Sequence, residues 1–153
     1  MIILPAQSDA HVLAARNLFV EYADYLGVDL CFQGFQEELE GLPGAYAPTD
    51  GRLLLAIEDD HPVGCVAVRK LGDGICEMKR LYVKPGHRGK GLGRKLTGSI
   101  IAEARAIGYM KMRLDSLTSL KEAAGLYREL GFVEIPPYRF NPLPQAVFME
   151  LEL

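Results

Sequence analysis

The run from Lys79 to Lys95, KRLYVKPGHRGKGLGRK, constrains this chain more than any other. It carries seven Lys/Arg and no Asp or Glu. Its centre, Arg88-Gly89-Lys90-Gly91-Leu92-Gly93, lies between a strand-like run, Arg80 to Val83, and a helix-like run, Leu92 to Ile107. A glycine-rich turn entering a helix presents unpaired backbone N–H groups at the positive end of the helix dipole. Glycines also let that backbone approach a ligand with no Cβ in the way. The stretch therefore reads as an anion cradle suited to a pyrophosphate. A Lys-Ser/Thr phosphate loop is excluded, because Gly91 precedes Leu92 and Gly93 precedes Arg94. The dinucleotide pattern G-x-G-x-x-G also fails, since Arg94 stands where its last Gly belongs. The remaining alternative is a solvated basic turn.

Arg88-x-x-Gly91-x-Gly93 resembles the Q/R-x-x-G-x-G/A signature of the GNAT superfamily of N-acetyltransferases. Its setting matches too: a strand ending Leu81-Tyr82-Val83, then Pro85, the loop and an amphipathic helix. Further on, Ala123-Ala124-Gly125-Leu126-Tyr127-Arg128-Glu129-Leu130-Gly131-Phe132 is similar to the family's A-x-x-L-Y-x-x-x-G-F segment. The resemblance implies an α/β fold with a mixed, mostly antiparallel central sheet of about six or seven strands and helices on both faces. It also implies acetyl-coenzyme A as donor.

With 153 residues, one domain spanning the whole chain is the natural expectation. No apolar run approaches the ~20 residues that span a bilayer, and the N-terminal residues lack the basic start of a signal peptide. Cys31, Cys65 and Cys76 are odd in number and lack C-x-x-C spacing, which argues against disulfides and zinc and suits the cytoplasm. His11, His61 and His87 are scattered, so no metal is expected. The formal net charge is −3, so setting aside the seven cations of 79–95 leaves −10. That balance favours a cationic acceptor and disfavours nucleic acid.

Along the chain, residues 2–5 read as a strand, and Ser8-Asp9 opens a helix that Gly27 stops. A short second helix is expected over 34–41. Arg52–Glu58, Val63–Lys70 and Ile75–Val83 form an antiparallel meander, turning at Asp59–Pro62 and Gly72–Gly74. Leu92, Leu96, Ile100, Ala104 and Ile107 recur at helical spacing, and a strand follows over Met110–Leu114. Ser119 and Glu122 read as a capping box for a helix to Leu130, with Gly131 at C′. Strands over Phe132–Ile135 and Ala146–Leu151 complete the order.

The resemblance places the pyrophosphate over the N–H groups from Arg88 through Gly89, Lys90, Gly91 and Leu92 to Gly93. Arg94 and Lys95 either add charge there or are solvated helix residues. Backbone of Leu81, Tyr82 and Val83 would hold the pantetheine amides as an added strand does. Where the family often has a pantetheine-contacting Asn, this chain has Leu120, and Ser119 and Lys121 flank it. Tyr127 occupies the position of the family's general-acid tyrosine. Glu77 interrupts the apolar pattern of its strand and is either the general base or an ion-pair partner of Lys79. Phe32, Phe35, Glu38, Tyr46 and Tyr138 are candidates for the acceptor pocket, and they read equally as loop packing. The acceptor is expected to be a small-molecule or protein amine, and a homodimer is compatible with the resemblance.

Overall fold

The protein is described by a computed structural model covering residues 1–30 and 34–153. The elements follow the order β1 (Ile2–Pro5), α1 (Asp9–Leu26), α2 (Phe35–Gly41), β2 (Arg52–Glu58), β3 (His61–Gly72), β4 (Ile75–Val83), α3 (Leu92–Ile107), β5 (Lys111–Leu117), α4 (Lys121–Glu129), β6 (Val133–Ile135) and β7 (Ala146–Glu152). The strands make one sheet in the order β1-β2-β3-β4-β5-β7-β6. Among the described residues only β4 and β5 pair in parallel, because α3 carries the chain across between them. Among the described residues no helix is long and apolar enough to cross a membrane.

Two apolar layers sandwich the sheet. Leu92, Leu96, Ile100 and Ala104 of α3 pack on Val66, Val68, Met78 and Met112 on one face. Ala15, Leu18 and Phe19 of α1 and Leu39 of α2 pack on Leu53, Leu55, Cys65 and Tyr82 on the other. α1 starts where Ser8 accepts a hydrogen bond from His11 N–H, and ends at Gly27 in the left-handed region, φ 66°. The Ser119/Glu122 capping box does not form: Leu120 is the N-cap of α4 and no side chain caps it.

Two irregularities of β4 create the site. Its parallel pairing with β5 covers only Ile75–Glu77 against Lys111–Arg113. From Met78 onward β4 runs without β5 beside it, and the strands splay. The second irregularity is Arg80, at φ 61°. Register passes from Ala67↔Lys79 to Cys65↔Tyr82, so Arg80 and Leu81 together oppose Val66, a β-bulge. Strict alternation would send Lys79 and Arg80 to opposite faces. The bulge instead keeps both cations on the α1/α2 face, at a backbone cost of roughly 1–2 kcal/mol.

The close approach of β3 to β4 and α3 depends on Gly64. A Cβ there would stand 2.9 Å from Tyr82 O and 3.0 Å from Leu96 Cδ1. Gly64→Ala is expected to destabilise the fold by about 2 kcal/mol in denaturant titration. Gly98→Ala, on α3 where a Cβ meets nothing within 4 Å, is expected to stabilise by about 0.5–1 kcal/mol.

Candidate active site

A cleft of about 480 Å³ opens between the end of β4, the turn entering α3 and the start of α4. One wall is Leu81, Tyr82 and Val83; the floor is Arg88, Gly89, Gly91, Leu92 and Gly93. Ser119, Leu120, Lys121 and Ala123 form the wall opposite, at the start of α4. Gly89 and Gly91 adopt φ 78° and 79°, and a Cβ on either would meet nothing within 4 Å. The turn is thus open space bordered by backbone. α3 begins directly after Gly91 with no side-chain cap, so its first-turn N–H groups have no partner within the helix. Arg88 is pinned at this mouth: its Nε donates to Val83 O at 2.8 Å, and its guanidinium lies 4.2 Å from the Tyr25 ring centre.

The other three cations of the sequence-predicted cradle stand apart. Lys90, Arg94 and Lys95 are exposed and do not line the cleft. Arg94 instead pairs with Glu129 of α4. Only the helical rotation of α3 separates Gly93, which lines the cleft, from Arg94, which does not.

The cleft continues into an inner pocket of about 70 Å³ that shares Tyr22, Leu81, Leu120 and Ala123 with it. Tyr127 of α4 lines this pocket and is 6 % exposed, with its ring 5.6 Å from that of Phe132. Burial pushes the Tyr127 phenol above its ordinary pKa, so it stays protonated near neutrality. Lys79, Arg80, Asp115 and Asn141 line the same pocket. Lys79 Nζ lies 3.6 Å from Asp115 Oδ1, and Asn141 donates to Asp115 Oδ2 at 3.2 Å.

Glu77 does not face the cleft, as its reading as a base requires. Its side chain is fully buried and its carboxylate is already engaged. Arg69 Nε and Arg139 donate to Oε1 at 3.0 and 2.7 Å, and the Tyr138 hydroxyl donates to Oε2 at 2.6 Å. Lys79 takes Asp115 as its ion-pair partner. Glu77→Gln would leave two guanidinium groups without their shared anion, and is expected to cost about 3 kcal/mol of stability. Thermal melting alongside an activity assay checks this: a base would lose turnover with an unchanged melting temperature.

The acceptor-pocket candidates also have structural employment. Glu38 holds Arg80 through both carboxylate oxygens, at 2.9 and 3.0 Å, and the Phe35 ring lies 5.1 Å from that guanidinium. Tyr46 is 2 % exposed and packs edge-on against Phe19, with its hydroxyl unpartnered among the described residues. Tyr138 is bound to Glu77, and burial together with that charge pushes its phenol up. None of the four lines the cleft or the inner pocket. Phe32 lies outside the described residues. Sequence reasoning named Lys79 only as a partner for Glu77 and missed Asp115 and Asn141. The signal for Asp115 was alternation: Lys111, Arg113 and Asp115 fall on one face of β5 while Met112 and Leu114 take the other.

A glycine turn and a strand edge border the cleft, and a buried tyrosine lines the inner pocket behind it. The family model described as "Acetyltransferase (GNAT) domain" matches residues 49–134. The chain belongs to the GNAT acetyltransferase family. It is 44 % identical over 141 residues to an uncharacterized N-acetyltransferase of Schizosaccharomyces pombe, covering 90 % of this chain and 86 % of that relative. Among solved structures, an acetyltransferase from Streptococcus agalactiae superposes with a TM-score of 0.82 at 21 % identity, covering 99 % of this chain and 98 % of the other. An aminoglycoside 6'-N-acetyltransferase complexed with coenzyme A has a TM-score of 0.73 at 16 % identity, covering 99 % and 97 %.

Proposed function

We propose that the protein transfers the acetyl group of acetyl-coenzyme A directly to a primary amine of a small molecule or protein. The observation that carries this reading is the convergence of three features on one cleft. They are the N–H groups opening at Gly89–Gly93, the β4 edge beyond Glu77, and the protonated phenol of Tyr127 at the inner end. The positive-φ glycines fit a pyrophosphate, because backbone rather than side chain borders that space. Leu81 and Val83 supply main-chain groups to the pantetheine amides, and Leu120 gives an apolar wall where family members often have Asn. Bound there, acetyl-coenzyme A supplies an activated thioester.

Tyr127 is the proton donor to the sulfur that leaves. Direct transfer is favoured because neither described cysteine suits a covalent route. Cys65 and Cys76 are both fully buried, and burial pushes the Cys76 thiol up to about 12. The test is an amine panel with acetyl-coenzyme A, read by release of free thiol and by the mass of the acetylated product. Turnover on at least one amine supports the reading. Tight coenzyme binding with no turnover on any amine would replace it with a non-catalytic acyl-coenzyme A sensor.

A further inference from the structure

Attack on a thioester needs a neutral amine, and Glu77 is sealed away from the pocket where that amine must lose its proton. Among the described residues, the titratable side chains lining the inner pocket are Tyr22, Lys79, Arg80, Asp115 and Tyr127. Burial pushes the Tyr22 phenol up, Arg80 stays charged against Glu38, and Tyr127 is the proton donor. Lys79 and Asp115 remain.

We propose that Lys79, held by Asp115 at the inner end of the cleft, takes the proton that the acceptor ammonium gives up. This assignment rests on the acetyl-transfer reading above. Lys79 is placed for it: its side chain is 3 % exposed, it borders the same pocket as Tyr127, and the Arg80 bulge fixes its strand against sliding. A neutral lysine donates two hydrogen bonds and keeps a lone pair, so its contact with Asp115 does not block the role. Burial lowers the Lys79 pKa to about 8, with Glu77 and Asp115 opposing that shift and Arg80 and Arg139 adding to it. Behind these lie Glu38 of α2, paired with Arg80, and Arg69 of β3, paired with Glu77. An alkylammonium of pKa about 10 passes its proton to such a lysine far more readily than to a carboxylate near 4.

Protons balance as follows. Lys79 Nζ takes one proton from the ammonium. The nitrogen lone pair then forms the C–N bond as the C–S bond breaks, and the sulfur keeps that electron pair. Tyr127 gives its phenolic proton to the sulfur and is reprotonated by the second proton leaving the nitrogen. Lys79 returns its proton to water, so the sum is amide, thiol and one released proton.

The test compares kcat/KM for two acceptors of similar size, a strongly basic alkylamine and an alkoxyamine that is already neutral at pH 7. In the wild type the alkylamine rate should rise with pH through about 8, while the alkoxyamine rate stays flat. Lys79→Arg keeps the charge and cannot give up its proton. It should lower the alkylamine rate by about 100-fold at pH 7 and the alkoxyamine rate by less than about threefold. Asp115 raises the Lys79 pKa, so Asp115→Asn should move the rise to lower pH. Equal losses for both amines in Lys79→Arg, or a wild-type alkylamine profile without the rise, overturn the proposal. Should Lys79→Arg fail to fold, the wild-type profiles and Asp115→Asn still decide it. Absence of turnover on either amine and on the wider panel would count against acetyl transfer itself.

Discussion

Gly91→Glu is expected to abolish measurable binding of coenzyme A while the protein remains folded. The residue sits at φ 79°, where any Cβ costs roughly 1–2 kcal/mol. The new side chain has room, since nothing lies within 4 Å of its Cβ. The fold therefore survives, and the carboxylate occupies the space the cradle leaves for an anion. A negative charge about 4 Å from a phosphate is unfavourable by about 4 kcal/mol at an effective dielectric of 20. Affinity should fall by more than about 100-fold, equivalent to about 2.7 kcal/mol. Gly86→Glu is the matched control. It adds the same charge to the same basic segment, but Gly86 does not line the cleft and has no positive φ. Its affinity should change by less than about threefold, because a solvated charge at that remove is screened.

Tyr127→Phe should lower kcat by about 100- to 1000-fold, the usual worth of one positioned acid, with coenzyme affinity nearly unchanged. The hydroxyl has no hydrogen-bond partner among the described residues, while the ring packs against Phe132 and the α3 face of the core. Phe keeps that packing, so the melting temperature should move by only a degree or two. Loss of stability in step with loss of activity would instead make Tyr127 a core residue. Because burial raises its pKa, loss of the Tyr127 proton should not limit the wild-type rate below about pH 10.

The floor of this site was legible because its chemistry is local. Gly89, Gly91 and Gly93 announce a turn by composition, and the Leu92-to-Ile107 spacing announces the helix that follows. The strand meander and the cap at Gly27 were readable for the same reason. What failed depended on distant or irregular backbone. Ser119-x-x-Glu122 has the letters of a capping box, yet a tight turn from β5, with Leu120 N–H bonded to Leu117 O, leaves Leu120 as the cap. β5 was read as ending at Leu114. Pairing of Asp115 with Phe148 and of Leu117 with Ala146 on β7 carries the strand further. Glu77 was read as a general base or a partner of Lys79 because its actual partner Arg139 is 62 residues away in sequence. Nor does any local pattern announce the Arg80 bulge, which puts adjacent Lys79 and Arg80 on one face.

Calorimetric titration of the wild-type protein with acetyl-coenzyme A, and then with free coenzyme A, tests the central claim most directly. The geometry of the cleft predicts one site for each ligand, with affinity that weakens as salt screens the cradle. A folded protein that takes up neither ligand would contradict the account, leaving the Gly89–Gly93 turn to serve some other anion.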